Sequence, residues 1–246
     1  MRIELPISKS IANRLLILQA IHGDGLMTVS ADMPDDVRLM SEAIRLLGER
    51  REARINLGNC GTAMRFLTAY CAQLEGQITI LDGVERMRHR PIGQLVDALR
   101  EIGADIEYLG EEGFPPLRIK GCVLDKHRIV TIHNPQSTQF VSALLLIGAN
   151  VQTDSTSPYI TLTRTLIQHY TTLHQSTQHY TIERDWSSAA FWYEYVALHG
   201  GEIELPGLYK DSLQGDKVVV DIFSYLGVHT KYNDEGIVIY SSPLHS

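Results

Sequence analysis

The sequence predicts an α/β (α+β) protein built from repeated βαβαββ units. Three observations predict it. Strongly apolar helical segments alternate with amphipathic ones, at a repeat of about 50 to 75 residues. Short strand-like runs, such as QITILDG and GEIELPG, lie between the two helices of a pair. After the second helix come stretches that read as hairpins with Gly-containing turns, ADIEYLGEEGFPPLRIKG and VHTKYNDEGIVIY. Four such units fill the chain, with no proline-rich or low-complexity linker between them.

The bulk numbers fit that class. The 246 residues are 44% hydrophobic and 21% charged, enough apolar content for a sizeable core. A net charge of −7 argues against non-specific nucleic-acid binding, which needs a basic surface, but leaves room for a locally basic cleft. Cys60, Cys71 and Cys122 have no CxxC spacing, and the ten histidines form no HExxH, so neither a disulfide framework nor a zinc site is indicated. No apolar run is long enough to span a membrane, and MRIELPISKS lacks the charged head and apolar stretch of a signal peptide. The expectation is a soluble cytoplasmic protein.

The apolar helices begin near Ser10, Thr62, Thr138 and Ser188, each apolar around most of its circumference and so buried. The amphipathic helices run near Asp36–Leu47, Ile92–Ile102, Tyr159–Tyr170 and Gly215–Leu226. Gly48, Gly103 and Gly227 stand where a left-handed C-cap is wanted; the third copy lacks this glycine.

Four segments carry chemistry. Ser8-Lys9-Ser10-Ile11-Ala12-Asn13-Arg14 sets a lysine and an arginine at a helix start, where free N–H groups and the helix dipole already favour an anion. A capped, solvated helix start is an equal reading of this segment alone. In Gly58-Asn59-Cys60-Gly61-Thr62-Ala63-Met64-Arg65 the glycines allow close backbone approach and Asn59 and Thr62 offer polar contacts; Cys60 reads as a packing residue. Arg86-Met87-Arg88-His89-Arg90-Pro91 crowds three arginines before a helix, with Pro91 at its first turn. Charge runs are usually solvated faces, yet this one precedes a helix in an acidic protein. Ser137-Thr138-Gln139 suits a polyol or phosphate, and a plain N-cap explains Ser137 equally.

Taken together, these segments resemble the EPSP synthase family over nearly the whole chain. SKSIANR looks like the family's SKS-x-x-NR signature, PDDVRLM like its DDV-x-x-M segment, and LGNCGTAMRFL like its LGNAGTAMR segment. RMRHRPIG with the PPLR hairpin, STQF, ERDWSSAAFW and SLQGD follow in family order. The resemblance implies a fold of two inside-out, barrel-like lobes with three units each, helices inside and sheets outside. Residues 1–182 would then form a complete lobe and residues 183–246 the first unit of the next, four units of the family's six. A fragment, or a natural chain lacking the rest, is the expectation. Unit four would pack poorly, leaving Trp186, Phe191 and Trp192 partly exposed, so that the chain self-associates; a full-length family member would be monomeric.

The resemblance also implies roles. Lys9 lies between two substrates and is the catalytic residue within this chain. Ser10, Arg14, Ser137, Thr138, Gln139, Thr156 and Tyr159, with Lys9, bind shikimate-3-phosphate. Asn59, Gly61 and Arg90, again with Lys9, bind phosphoenolpyruvate; Thr62 lies next to them and Phe66 stands where a proline is frequent, and both would alter the shape of that pocket. Asp185 falls at the lobe junction. The implied reaction, in the shikimate pathway of aromatic amino-acid biosynthesis, joins the 5-hydroxyl of shikimate-3-phosphate to C2 of phosphoenolpyruvate and eliminates phosphate. It needs no metal or organic cofactor, and no nucleic acid or membrane partner. The carboxylates that move protons belong to segments aligned beyond residue 246. Two rivals remain: a binding lobe without turnover, and the related enzyme that transfers enolpyruvate to UDP-N-acetylglucosamine. The latter carries a cysteine five residues before the Arg-Pro, where this sequence has Glu85.

Overall fold

A computed structural model describes residues 1–30, 33–173 and 181–241. Helix α1 (Lys9–His22) opens on the Ser8 cap, whose Oγ accepts from the Ile11 N–H at 3.4 Å. Lys9 is therefore the first helical residue rather than the one before the helix. Residues Ile11 to Leu18 are all buried, as an all-round apolar helix requires. Helix α2 (Asp35–Glu49) buries only one face, through Val37, Met40, Ala43, Ile44 and Leu47.

The next unit holds every expected element. Strand β1 (Glu52–Asn56) leads to α3 (Gly61–Ala72), in which every residue but Thr62 is buried. Strand β2 (Ile78–Asp82), the one-turn α4 (Glu85–Arg88), α5 (Gly93–Glu101) and the hairpin of β3 (Asp105–Tyr108) and β4 (Leu117–Lys120) follow. The strands order as β1-β2-β4-β3, with β1 and β2 parallel and the other pairs antiparallel. Glycine decides one approach here. A Cβ on Gly121, just after β4, would lie 1.8 Å from the Leu74 carbonyl oxygen and 2.4 Å from its carbon. Both are backbone atoms that cannot swing away. Gly121→Ala is expected to destabilise the fold by about 1–3 kcal/mol; a chemical-denaturation midpoint equal to the parent's would refute the close approach.

The third unit gives β5 (Ile129–Ile132), α6 (Thr138–Leu146), β6 (Asn150–Thr153) and α7 (Pro158–Leu173), with β5 and β6 paired in parallel. The strands expected after α7 fall largely on 174–180, outside the described residues. The last unit comprises α8 (Trp186–His199), β7 (Gly201–Pro206), a 3-10 turn at Gly215–Val218 running into α9 (Val219–Ser224), then β8 (Val228–Tyr232) and β9 (Gly236–Ser241). Its antiparallel sheet orders as β7-β9-β8.

Three expectations need correcting. The sheets do not close into a barrel. Among the described residues they are three separate sheets, each laid on the helices rather than bonded to the next. Nor are the units identical: around α1 and α2 the described residues form only isolated bridges, Arg2 to Glu204 and Ile7 to Arg184. Gly48 lies inside α2, which runs on to Glu49, whereas Gly103 and Gly227 do take positive φ, 99° and 78°.

The core falls into two principal parts. The larger packs α1, α3, α5 and α6 against the first two sheets. The smaller centres on Trp186 and Tyr193, both at 0% exposure, with Leu5 and the β7-β9-β8 sheet. The last unit thus has a core of its own, contrary to the expectation for Trp186. Phe191 is 72% exposed, as expected, and Trp192 is half-buried. Two chain segments cross between the parts: the Ser8 N–H donates to the Glu183 carbonyl at 2.9 Å and the Asp185 N–H to the Pro6 carbonyl at 3.0 Å. No helix among the described residues is long and apolar enough to cross a membrane.

Candidate functional site

A cavity of about 350 Å³ opens where six helices begin. Helix α1 contributes Lys9, Ser10, Asn13 and Arg14; α3 contributes Thr62. Ser137, Thr138 and Gln139 come from the start of α6, Tyr159 from α7, and Asp185 and Ser187 from α8. Asp36 of α2 and Arg90 complete the wall. Every helix start presents N–H groups with no intrahelical acceptor, and the dipoles sum toward the same space. The chain is acidic overall, yet this cavity is set to receive negative charge.

Arg14 is 3% exposed and has no carboxylate partner among the described residues. Its Nε donates to Thr163 Oγ1 at 2.7 Å and its Nη1 to the Ser10 carbonyl at 2.7 Å. Its Nη2 donates to Ser142 Oγ at 3.2 Å and to the Tyr159 carbonyl at 3.4 Å. Burial lowers its pKa to about 10, so a buried cation here lacks its counter-ion. Phe66 lies beneath it, the guanidinium 5.2 Å from the ring centre. Phe66, 1% exposed, therefore supports Arg14 instead of reshaping the cavity wall.

A second cationic corner joins α3 to the segment before α5. Arg65, 3% exposed, donates to the Gly61 carbonyl at 3.1 Å and the Pro91 carbonyl at 3.0 Å. Burial first, and then the charge of Arg90, lower its pKa to about 10. Two guanidiniums that repel each other without a carboxylate between them form a natural anion corner. The structure separates the three clustered arginines. Arg88 is bound to Asp82, Arg86 is exposed, and Arg90 alone reaches the cavity. Arg86 and Arg88 sit in α4, and Pro91 precedes the first residue of α5 by two positions.

Tertiary hydrogen bonds tie the walls together. Gln139 Nε2 donates to Thr62 Oγ1 at 2.9 Å, joining α6 to α3. Tyr159 OH donates to Asp216 Oδ2 at 3.0 Å, joining α7 to the last unit, and Asp216 also accepts from Ser187 Oγ. Burial, and next the Asp216 charge, push the Tyr159 phenol above its ordinary range. Asp185 caps α8, accepting from Ser188 N at 3.0 Å and Ser188 Oγ at 2.7 Å. Lys9 is exposed and forms no ion pair or hydrogen bond with the described residues.

Most expected site residues thus meet in one place. Asn59 and Gly61 lie behind the wall: the Asn59 carbonyl accepts from Arg90 Nη1 at 3.4 Å, and a Cβ on Gly61 would fall 2.5 Å from that same nitrogen. Thr156 is exposed and does not line the cavity, because α7 begins two residues later and turns Tyr159 inward instead. Cys60 is 4% exposed and caps α3 through Sγ, 3.4 Å from the Ala63 N–H. Burial raises its thiol to about 11, which suits packing and not nucleophilic attack. Asn13, Asp36 and Ser187 were not singled out from the sequence. Asn13 sits one turn beyond Ser10 on α1, a spacing that places both on one face.

Three comparisons bear on this site. A family model described as EPSP synthase (3-phosphoshikimate 1-carboxyvinyltransferase) matches residues 48–245. A 3-phosphoshikimate 1-carboxyvinyltransferase of Bacteroides fragilis is 42% identical over 260 residues, covering 96% of this chain and 62% of the relative. Another, from Colwellia psychrerythraea, is 33% identical and covers 98% and 67% respectively. The solved EPSP synthase of Acinetobacter baumannii superposes with a TM-score of 0.69 at 18% identity, covering 98% of this chain and 64% of that one. At that identity the likeness speaks to the fold. The chain spans about 62% of the length of the Bacteroides relative.

Proposed function

Because the chain belongs to the EPSP synthase family, we propose that it takes part in enolpyruvyl transfer from phosphoenolpyruvate to the 5-hydroxyl of shikimate-3-phosphate, supplying mainly the shikimate-3-phosphate site. One observation carries this reading: separate helix starts, far apart in sequence and each matching a family motif, converge on a single cavity rich in cations and hydroxyls. In this reading Ser10, Arg14, Ser137, Thr138, Gln139 and Tyr159 hold shikimate-3-phosphate. Arg90, with the Asn59–Gly61 backbone beside it, holds phosphoenolpyruvate, and Lys9 stands between the two. Both substrates are anionic, so paired cations offset their repulsion and keep C2 within reach of the hydroxyl. Arg14, held by four hydrogen bonds with one Nη1 proton left over, supports a fixed anion site, since its position is set before any ligand arrives. The absence of an ion pair on Lys9 supports a mobile charge free to follow the reacting groups.

We assign residues 1–182 to a shikimate-3-phosphate-binding lobe and residues 183–246 to part of a second; the two cores support a boundary near residue 182, while Leu5 at the start of the chain packs into the second core and Arg2 bridges to Glu204. Against the UDP-sugar reading, Glu85 is exposed on α4 and bonded to His89 at 3.0 Å, away from the cavity. Calorimetric titration with shikimate-3-phosphate tests the proposal. Saturable binding is expected, weakened by added inorganic phosphate competing for the same cations. Binding of a UDP-sugar in preference to shikimate-3-phosphate, or no shikimate-3-phosphate binding at millimolar concentration, would overturn it.

A further inference from the structure

We propose that Asp82 is a positioning residue for the anion corner at Arg90. The inference rests on the reading of Arg90 as a phosphoenolpyruvate ligand.

Arg90 is poorly held on its own account. The hydrogen bond of its guanidinium is the 3.4 Å contact to the Asn59 carbonyl. Its place is therefore set by its backbone, whose N–H donates to the Met87 carbonyl at 3.0 Å at the end of α4. What fixes α4 is Asp82, two residues past whose partner Arg90 stands. The Asp82 carboxylate, 6% exposed at the end of β2, accepts from Arg88 Nε at 3.0 Å and Arg88 Nη2 at 2.9 Å. A bidentate pair of this kind fixes orientation as well as distance. The same carboxylate accepts from the Gly83 N–H at 2.8 Å and from Arg54 Nη2 of β1 at 3.3 Å.

The backbone around Asp82 fixes the other side of the corner. The Asp82 carbonyl accepts from the Leu57 N–H at 2.8 Å, and the Val84 N–H donates to the Gly58 carbonyl at 3.0 Å. Those residues lead straight into Asn59 and Gly61. Gly83 lets the two segments touch, since a Cβ there would sit 2.6 Å from the Gly58 oxygen. One residue thus sets both halves of the corner: its backbone places the Asn59–Gly61 turn and its side chain places Arg90. Removing the side-chain charge cuts only the second arm. The hydrogen bonds outweigh the opposing effect of burial and hold the Asp82 carboxyl below its ordinary range, so the pair persists at neutral pH.

The test measures two affinities separately by NMR titration: shikimate-3-phosphate alone, and phosphoenolpyruvate with shikimate-3-phosphate saturating. Asp82→Asn and Arg88→Gln are each expected to weaken phosphoenolpyruvate about tenfold, the scale of a misplaced binding group. Shikimate-3-phosphate should stay within about twofold of the parent in both. Arg88→Lys, which keeps the charge without the fork, should recover part of the loss. Arg88 is partly exposed, so Arg88→Gln reads the pair even if Asp82→Asn unfolds. Equal weakening of both ligands would make Asp82 a fold residue only, and overturn the inference. So would parent-like phosphoenolpyruvate binding in both variants while Arg90→Gln is impaired. If Arg90→Gln binds like the parent, or the parent binds no phosphoenolpyruvate, the proposed substrate site fails and the inference falls with it.

Discussion

Arg14→Met is expected to weaken shikimate-3-phosphate binding about 10- to 100-fold, the range of charged hydrogen bonds, while the unfolding midpoint stays at or above the parent's. The two effects have opposite signs for one reason. The guanidinium is buried without a counter-ion among the described residues, a state that costs free energy in the empty protein and would be offset when an anion arrives. Methionine fills similar volume without charge. The groups it would strand keep other partners: Thr163 Oγ1 still donates within the Ser142 and Tyr159 cluster, at 3.0 and 2.7 Å. Binding should also lose part of its salt dependence, since one cation is gone. Calorimetry at two salt concentrations, beside thermal unfolding, checks both signs. Ser137→Ala sets the lower mark at about 1 kcal/mol, one ordinary hydrogen bond. Tight binding by Arg14→Met at low salt would show that α1 does not form the phosphate wall.

Gly61→Ala is expected to weaken phosphoenolpyruvate strongly and leave shikimate-3-phosphate and stability intact. The added Cβ would stand 2.5 to 2.6 Å from the Arg90 guanidinium atoms, inside any real contact distance. Something must move, and the free end of Arg90 is the part that can, because its one hydrogen bond is long. The fold itself gains: alanine at a helical position with ordinary φ is better by about 0.5–1 kcal/mol than glycine. Measured affinities and melting should therefore part company. Parent-like phosphoenolpyruvate affinity in Gly61→Ala would mean that Arg90 is not placed by this contact.

The buried helices α1, α3 and α6 were readable because they are apolar all round; α8 carries the same pattern yet leaves Phe191 and Leu198 exposed, so there the expectation of a buried helix fails. The hairpin of β3 and β4 and that of β8 and β9 were readable from alternation and turn glycines. Barrel closure was not, because it depends on which strand edges meet, and local pattern says nothing about edges far apart in sequence. Gly48 misled because a glycine after Leu-Leu looks like a stop, whereas α2 runs one exposed residue further, to Glu49. At the site, charge and helix position marked Lys9, Arg14 and the three arginines before α5 as candidates, and the family resemblance singled out Arg90. That Arg90 rather than Arg88 lines the cavity reflects Asp82 at the end of β2, which holds Arg88. Asn13 and Asp36 were in quoted motifs but carried no charge pattern to mark them as walls.

The hydrogen bond from Gln139 to Thr62 spans 77 positions of sequence, and that from Arg14 to Thr163 spans 149. No stretch of the chain folded alone can therefore assemble the cavity. Its loop-closure entropy is met only when α1, α3, α6 and α7 have all docked. Binding then acts as a thermodynamic reporter of complete tertiary order: a collapsed state with formed helices but loose packing offers the ligand nothing. By mass action a ligand held there as proposed would favour the assembled state, by about 2.7 kcal/mol at a hundredfold excess over its dissociation constant.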